Sequence, residues 1–194
     1  KNISIDSGVF QALLKSLADC ATIGIHPSYA SNKKPERLEI EFSRLSKIIK
    51  RDITKSRQHF LKLSLPITYQ RLLDLDIKED YTMGYANESG FRASICSPFY
   101  FYNLDIEKKT DLKVFPFSIM EATLKYYNNL KPEDIIKHVT PLINEVKSVN
   151  GTFISIWHND SLSSTKFWNG WENIYEEILK LSAGQENLSG NTNF

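Results

Sequence analysis

Hydrophobic positions recur with a helical period in several stretches of the chain, and short apolar runs separate them. Val9, Leu13, Leu14 and Leu17 repeat at helical spacing behind Asp6 and Ser7, either of which can cap a helix, so the pattern predicts a helix over about residues 8–20. Ala21-Thr-Ile-Gly-Ile25 follows, a run that suits a strand buried on both faces and ends at His26-Pro27-Ser28. Pro35 stands where a first-turn proline belongs. Leu38, Phe42, Leu45, Ile48 and Ile49 then recur every three or four residues, which predicts a helix over about 35–51. The same order repeats: Ser56 to Leu61 predicts a strand, Pro66 opens a helix through Tyr69, Leu72, Leu73 and Leu75, and Tyr81 to Tyr85 predicts another strand. Asn87 to Leu104 predicts one or two short strands and a loop around Gly90, Pro98 and the aromatic cluster Phe99 to Tyr102. Glu107 to Asp111 is a charge run of the kind that forms a solvated turn, Leu112 to Phe117 a strand interrupted by Pro116, and Ser118 to Asn128 a helix. Pro132 starts a longer helix through Val149, closed by Asn150-Gly151 as a left-handed cap. Thr152 to Trp157 is the clearest strand pattern, and Lys166 to Ala183 predicts the last helix.

Strands alternating with helices predict an α/β fold built on parallel strands, with a barrel or partial barrel open as its closure. One domain is expected over residues 1–183, with a Gly/Asn/Ser-rich flexible tail over 184–194. No strand runs into a glycine-rich phosphate turn, so dinucleotide binding has no motif here. Composition narrows the picture further: 194 residues, 41% hydrophobic and 24% charged, describe a globular chain with a core. Twenty-four Lys and Arg against 23 Asp and Glu leave +1, so no basic field points to nucleic acid or an anionic membrane. Two cysteines allow one bridge at most, which predicts a reduced, cytoplasmic setting, and no apolar run reaches the ~18 residues of a transmembrane helix. The chain opens at Lys1 without Met, and its first patterned segment is already a helix. An N-terminally truncated piece of a larger domain is therefore expected.

Four histidines carry the candidate chemistry. His138 lies within a predicted helix beside Lys137 and reads as structural. His26, His59 and His158 lie on or just after predicted strands, where α/β architectures hold ligands. Each alone reads as a hydrogen-bonded strand-end histidine; together they suit an open metal site, since neutral imidazoles bind Zn, Fe, Co or Ni and such a site acidifies a bound water. A carboxylate usually completes that set. Asp160 is near His158 in sequence, but no strand ends in a pair of Asp residues. Glu121 is a further site candidate, and its place in the predicted first turn of a helix favours the other reading, a residue complementing the helix dipole.

Thr22-Ile-Gly-Ile-His-Pro-Ser28, Ser56-Arg-Gln-His-Phe-Leu61, Asp80-Tyr-Thr-Met-Gly-Tyr-Ala86, Gly90-Phe-Arg-Ala-Ser-Ile-Cys-Ser-Pro-Phe99 and Ile154-Ser-Ile-Trp-His-Asn159 carry a resemblance. Over about residues 20–180 the chain resembles the polysaccharide deacetylase superfamily, the NodB-homology domain, and more closely a divergent bacterial branch of it. The resemblance implies a (β/α) barrel or partial barrel and metal-dependent hydrolysis of an N- or O-acetyl group on an acetylated carbohydrate. It implies His26 as the first histidine of the His-x-x-x-His metal motif and His158 as the general acid that protonates the leaving group. The second histidine of that motif would stand at Ala30, which makes His59 the candidate replacement ligand. Arg57 and Arg92 are the candidates to hold sugar or acyl oxygens, with a structural salt bridge as the other reading of each. The superfamily's opening strand carries paired Asp residues, a metal ligand and the catalytic base, and nothing before Ala21 supplies them. The implied divalent metal, Zn or else Co, Ni or Fe, would thus lack an Asp ligand in this chain, and the piece would be inactive by itself. The alternative is a non-catalytic relative that binds carbohydrate or a partner protein.

Overall fold

The computed structural model describes residues 3–163 and 165–183, so the tail predicted over 184–194 lies outside the described residues. The chain is a mixed α/β protein whose described residues divide into two compact units, one up to residue 82 with 99–115 and the other 83–98 with the described residues from 116 on.

Helix α1, Gly8–Cys20, starts where Ser7 accepts a hydrogen bond from the Phe10 amide, and α2, Pro35–Ile49, starts on its first-turn proline and stops where Lys50 turns left-handed. Strand β1, Lys55–Ser56, and helix α3, Ile67–Asp74, follow. Strands β2, Glu79–Asp80, β3, Phe99–Asn103, and β4, Lys108–Val114, complete an open four-stranded sheet in the order β1-β2-β4-β3. β1 to β2 and β2 to β4 are parallel, and β3 is an antiparallel edge joined to β4 by a hairpin. Tyr69 and Leu72 on α3 are fully buried, as are Leu112 and Val114 on β4, and Tyr69 meets Phe101 edge-on at 5.0 Å. That packing is the core of the first unit.

Several predicted elements are corrected. Ala21 to Ile25 is not a full strand: Ile25 alone bridges to Ser56, because its only ladder partner is the two-residue β1. The strand predicted over Ser56 to Leu61 stops at Ser56, since Phe60 and Leu61 have φ of 56° and 52° and turn the chain. The strand predicted over Tyr81 to Tyr85 lies at Glu79–Asp80 instead, where ladders on both sides fix the register. Lys108 to Asp111 is strand and not turn, because the hairpin pairs it with β3 while its charges take the outward positions. α1 also departs from its pattern. Only Ala18 is buried, and Val9, Leu13 and Leu17 are 84%, 51% and 46% exposed.

The second unit opens with β5, Ile119–Met120, paired in parallel with β6, Ser155–Ile156. The helix predicted over Ser118 to Asn128 is therefore a strand followed by one wide helical turn at Thr123–Tyr127; the ladder to β6 claims the residues that propensity gave to helix. Helix α4, Pro132–Ser148, buries Ile135, Val139, Ile143 and Val146 and ends at Asn150, φ 50°, as predicted. Helix α5, Trp171–Ala183, starts later than the pattern predicts because Gly170, φ 84°, breaks it from a short turn at Lys166–Trp168. Trp168 and Trp171 pack at right angles, 5.1 Å apart, in a core shared with α4.

Candidate functional site

In the first unit the candidate residues follow the C-terminal ends of the parallel strands, the edge where such sheets hold ligands. The Ile25 amide donates to the Lys55 carbonyl at 2.8 Å and the Arg57 amide to the Ile25 carbonyl at 3.0 Å, which sets His26 beside the Arg57 backbone. His26 Nδ1 lies 2.7 Å from the Arg57 carbonyl oxygen. A carbonyl only accepts, so Nδ1 carries the proton and Nε2 is the basic nitrogen of that ring. Histidines that ligate metals through Nε2 are held in this way.

His59 enters from the turn after β1, and the left-handed residues that follow it bring its ring to 4.9 Å from that of His26, centroid to centroid, at 43°. Phe60 stacks on His59 at 4.8 Å and meets Tyr29 edge-on at 5.5 Å. Both imidazoles line a cleft of about 460 Å³ together with Tyr29, Glu41 and Arg44. Glu41 is committed elsewhere: it accepts from the Ser28 amide and hydroxyl at 2.7 and 2.6 Å and from Arg37 at 3.3 Å. Among the described residues no three His, Cys, Asp or Glu side chains come together as a metal group. The two imidazoles fit two positions of an open metal site and fill no third.

Arg57 donates through Nε to the Tyr81 carbonyl at 3.1 Å and lies over the Tyr81 ring at 6.0 Å. Burial pulls its guanidinium below the ordinary arginine value, with the Asp80 charge opposing. Asp80 itself has no exposed surface. Its carboxylate accepts from Ser56 Oγ at 2.7 Å, from Thr82 Oγ1 at 2.8 Å and from the Thr82 amide at 3.0 Å. Burial pushes the Asp80 carboxyl up, and hydrogen bonds from Ser56, Thr82 and Tyr69 pull against it. In the sequence Asp80 closes the charged run Lys78-Glu79-Asp80 and opens the stretch to Ala86 quoted above, but nothing there marks it as a buried acceptor.

His158 belongs to the second unit. β5 and β6 are parallel and in register, so the residues just beyond their C-terminal ends meet: Glu121 Oε1 accepts from the His158 amide at 2.9 Å and faces His158 Nδ1 at 2.5 Å. Glu121 is 1% exposed, whereas the His158 side chain is half exposed. Glu121 Oε2 is buried and has no partner among the described residues. The buried carboxylate on Nδ1 fixes the orientation of the ring. Glu121 follows the strand and opens the helical segment over 121–127, the first-turn position expected of it, and its carboxylate also holds His158. Only the parallel pairing reveals this, because 37 residues separate the partners.

The other candidates make contacts of their own. His138 is exposed on α4 with Nε2 3.2 Å from Ser89 Oγ, and Arg92 is exposed in the loop before β3. Among the aromatics, Phe101 is buried and Trp157 packs edge-on against Tyr175 at 5.2 Å, while Tyr100 and Tyr102 are about half exposed, with Lys109 4.3 Å above Tyr100. Cys20 and Cys96 are free thiols. No helix among the described residues is long and apolar enough to cross a membrane. Compared with known proteins, the chain matches no family model and no curated protein.

Proposed function

We propose that this chain carries catalytic parts of a metal-dependent carbohydrate deacetylase, built on the whole or partial (β/α) barrel of the polysaccharide deacetylase superfamily. The observation that carries the reading is one arrangement met twice. His26 and His158 each follow a parallel strand, and each commits Nδ1 to a protein oxygen, of Arg57 and Glu121 respectively, so that the chemistry of both rings falls to Nε2. His26 and His59 would hold a divalent metal, Zn or else Co, Ni or Fe, which when bound supplies an acidified water and polarises the acetyl carbonyl. In the second unit His158, held by Glu121, has the general acid's part in this reading: Nε2 would deliver a proton to a leaving amine or alkoxide. Arg57 and Arg92 hold acyl or sugar oxygens through guanidinium N–H groups; for Arg57 these are the ones not donated to Tyr81.

One observation favours a second reading, a non-catalytic carbohydrate-binding relative: Ala30 occupies the position of the second motif histidine, and the described residues bring no third ligand to His26 and His59. Metal content and acetate release from acetylated chito-oligosaccharides, measured on the full natural protein, separate the two. The enzyme reading expects bound metal that is lost in His26→Ala, and a rate lowered roughly 10²- to 10⁴-fold in His158→Ala with the metal retained. Absence of both metal and acetate release would sink it and leave the binding module.

A further inference from the structure

The peptide unit between Arg57 and Gln58 is hydrogen-bonded at both ends. Its carbonyl oxygen lies 2.7 Å from His26 Nδ1, and its N–H donates to Thr82 Oγ1 at 2.9 Å. Thr82 continues the connection, with Oγ1 2.8 Å from Asp80 Oδ2. Gln58, Thr82 and Asp80 are 3%, 0% and 0% exposed, so water does not compete for the Gln58–Thr82 and Thr82–Asp80 bonds, while the His26 end of the connection is exposed. Chemistry fixes their direction. A carboxylate only accepts and a backbone N–H only donates, so the Thr82 hydroxyl proton points at Asp80 and its lone pair takes the Gln58 N–H. Drawing on the N–H makes the carbonyl of the same amide a stronger acceptor for His26 Nδ1–H, and the two buried bonds behind it strengthen each other. Asparagine could not replace Asp80: Ser56 Oγ, Thr82 Oγ1 and the Thr82 amide all donate to its two oxygens, and an amide NH₂ would meet a donor with a donor.

We infer that Asp80 is a positioning residue for His26, acting through Thr82 and the Arg57–Gln58 peptide to hold the imidazole in its Nδ1–H tautomer. Its consequence for metal binding rests on the proposed ligand role of His26; the positioning does not. A merely structural Asp80 would brace Ser56 and Thr82 alike, and the site supplies the control. Ser56 donates to the same oxygen at 2.7 Å, yet its hydroxyl has no place in the chain that ends on His26.

The test reads the His26 ring by ¹⁵N chemical shifts, which distinguish a protonated from an unprotonated ring nitrogen, at about pH 8, above the ordinary histidine range. The wild type is expected to show Nδ1–H alone. Asp80→Asn and Thr82→Val are expected to give a mixture of tautomers, Thr82→Ser to restore the wild-type pattern, and Ser56→Ala to leave it unchanged. Zinc competition on the same proteins is expected to show about tenfold weaker binding in Asp80→Asn and Thr82→Val, the lower end of what partners of a ligating histidine contribute. Unchanged tautomers in folded Thr82→Val, or an equal change in Ser56→Ala, overturn the inference. Altered tautomers with unaltered zinc affinity uphold the positioning and overturn the ligand role of His26. Should the variants not fold, the wild type still decides: a Gln58 amide proton that exchanges as fast as an open loop overturns the connection, and a protected one upholds it.

Discussion

Glu121→Gln is the substitution that separates the chemistry of the His158 pair from its architecture. In the wild type both donors converge on Oε1, the His158 amide at 2.9 Å and Nδ1 at 2.5 Å, while Oε2 is buried without a partner among the described residues. Glutamine keeps the shape and an accepting oxygen but removes the charge. Hydrogen bonds to a charged group contribute about 1.5–3 kcal/mol and neutral ones about 0.5–1.5, so weakening two of them costs about 2 kcal/mol. Against this, a buried charged oxygen left without a donor costs on the order of 1–3 kcal/mol, most of which is relieved when the charge goes. The terms nearly cancel, and stability is expected to change by less than about 1 kcal/mol, a urea midpoint shift below roughly 1 M. The proposed proton-transfer role depends on the charge itself, so under that proposal acetate release by the full natural protein is expected to fall roughly 10²- to 10⁴-fold. Urea titration and acetate assay on one preparation give both readouts. A Glu121→Gln protein that loses more than about 3 kcal/mol while keeping its rate would refute the reasoning and make Glu121 a structural brace.

Two further outcomes follow from the packing and the charges. A Cβ added at Gly84 would stand 2.2 Å from Cε1 of Phe117, a ring only 1% exposed, so Gly84→Ala is expected to lower stability by about 1–3 kcal/mol in a thermal or urea melt; a neutral result would show that the ring has room to move. Burial raises the Glu79 carboxyl, but hydrogen bonds from Lys55 at 2.7 Å and Tyr81 at 2.6 Å, with the Lys55 and Lys113 charges, outweigh it and leave the group below its ordinary value of 4.5. A depressed carboxylate contributes stability that is present above its unfolded value and lost as pH falls through its folded one. The stability difference between wild type and Glu79→Gln is therefore expected at neutral pH and should vanish as pH falls below the ordinary glutamate range; a difference that persists there would contradict the ion pair.

The long elements were legible in the sequence because their signals are local. α2 and α4 begin on Pro35 and Pro132 and carry apolar stripes at helical spacing, and Asn150 closes α4 with the left-handed backbone its type tolerates. The strands were misplaced for the opposite reason. β1, β2, β5 and β6 are two residues each, and which two depends on partners 24 to 36 positions away, a distance at which no periodicity operates. His26, His59 and His158 stood out by residue type and strand-end position. Their partners did not. Asp80 sits in a charged run and Glu121 in a segment with helical propensity, and parallel pairing is what carries the one to Ser56 and the other to His158.

What the sequence determined by itself was therefore the kind of fold and the places of its histidines: helices alternating with apolar runs, and imidazoles where the runs end. Tertiary structure decided the state of those imidazoles. A histidine's tautomer and orientation are set by the atom its other nitrogen meets, and here those atoms are the Arg57 carbonyl, 31 residues from His26, and the Glu121 carboxylate, 37 residues from His158.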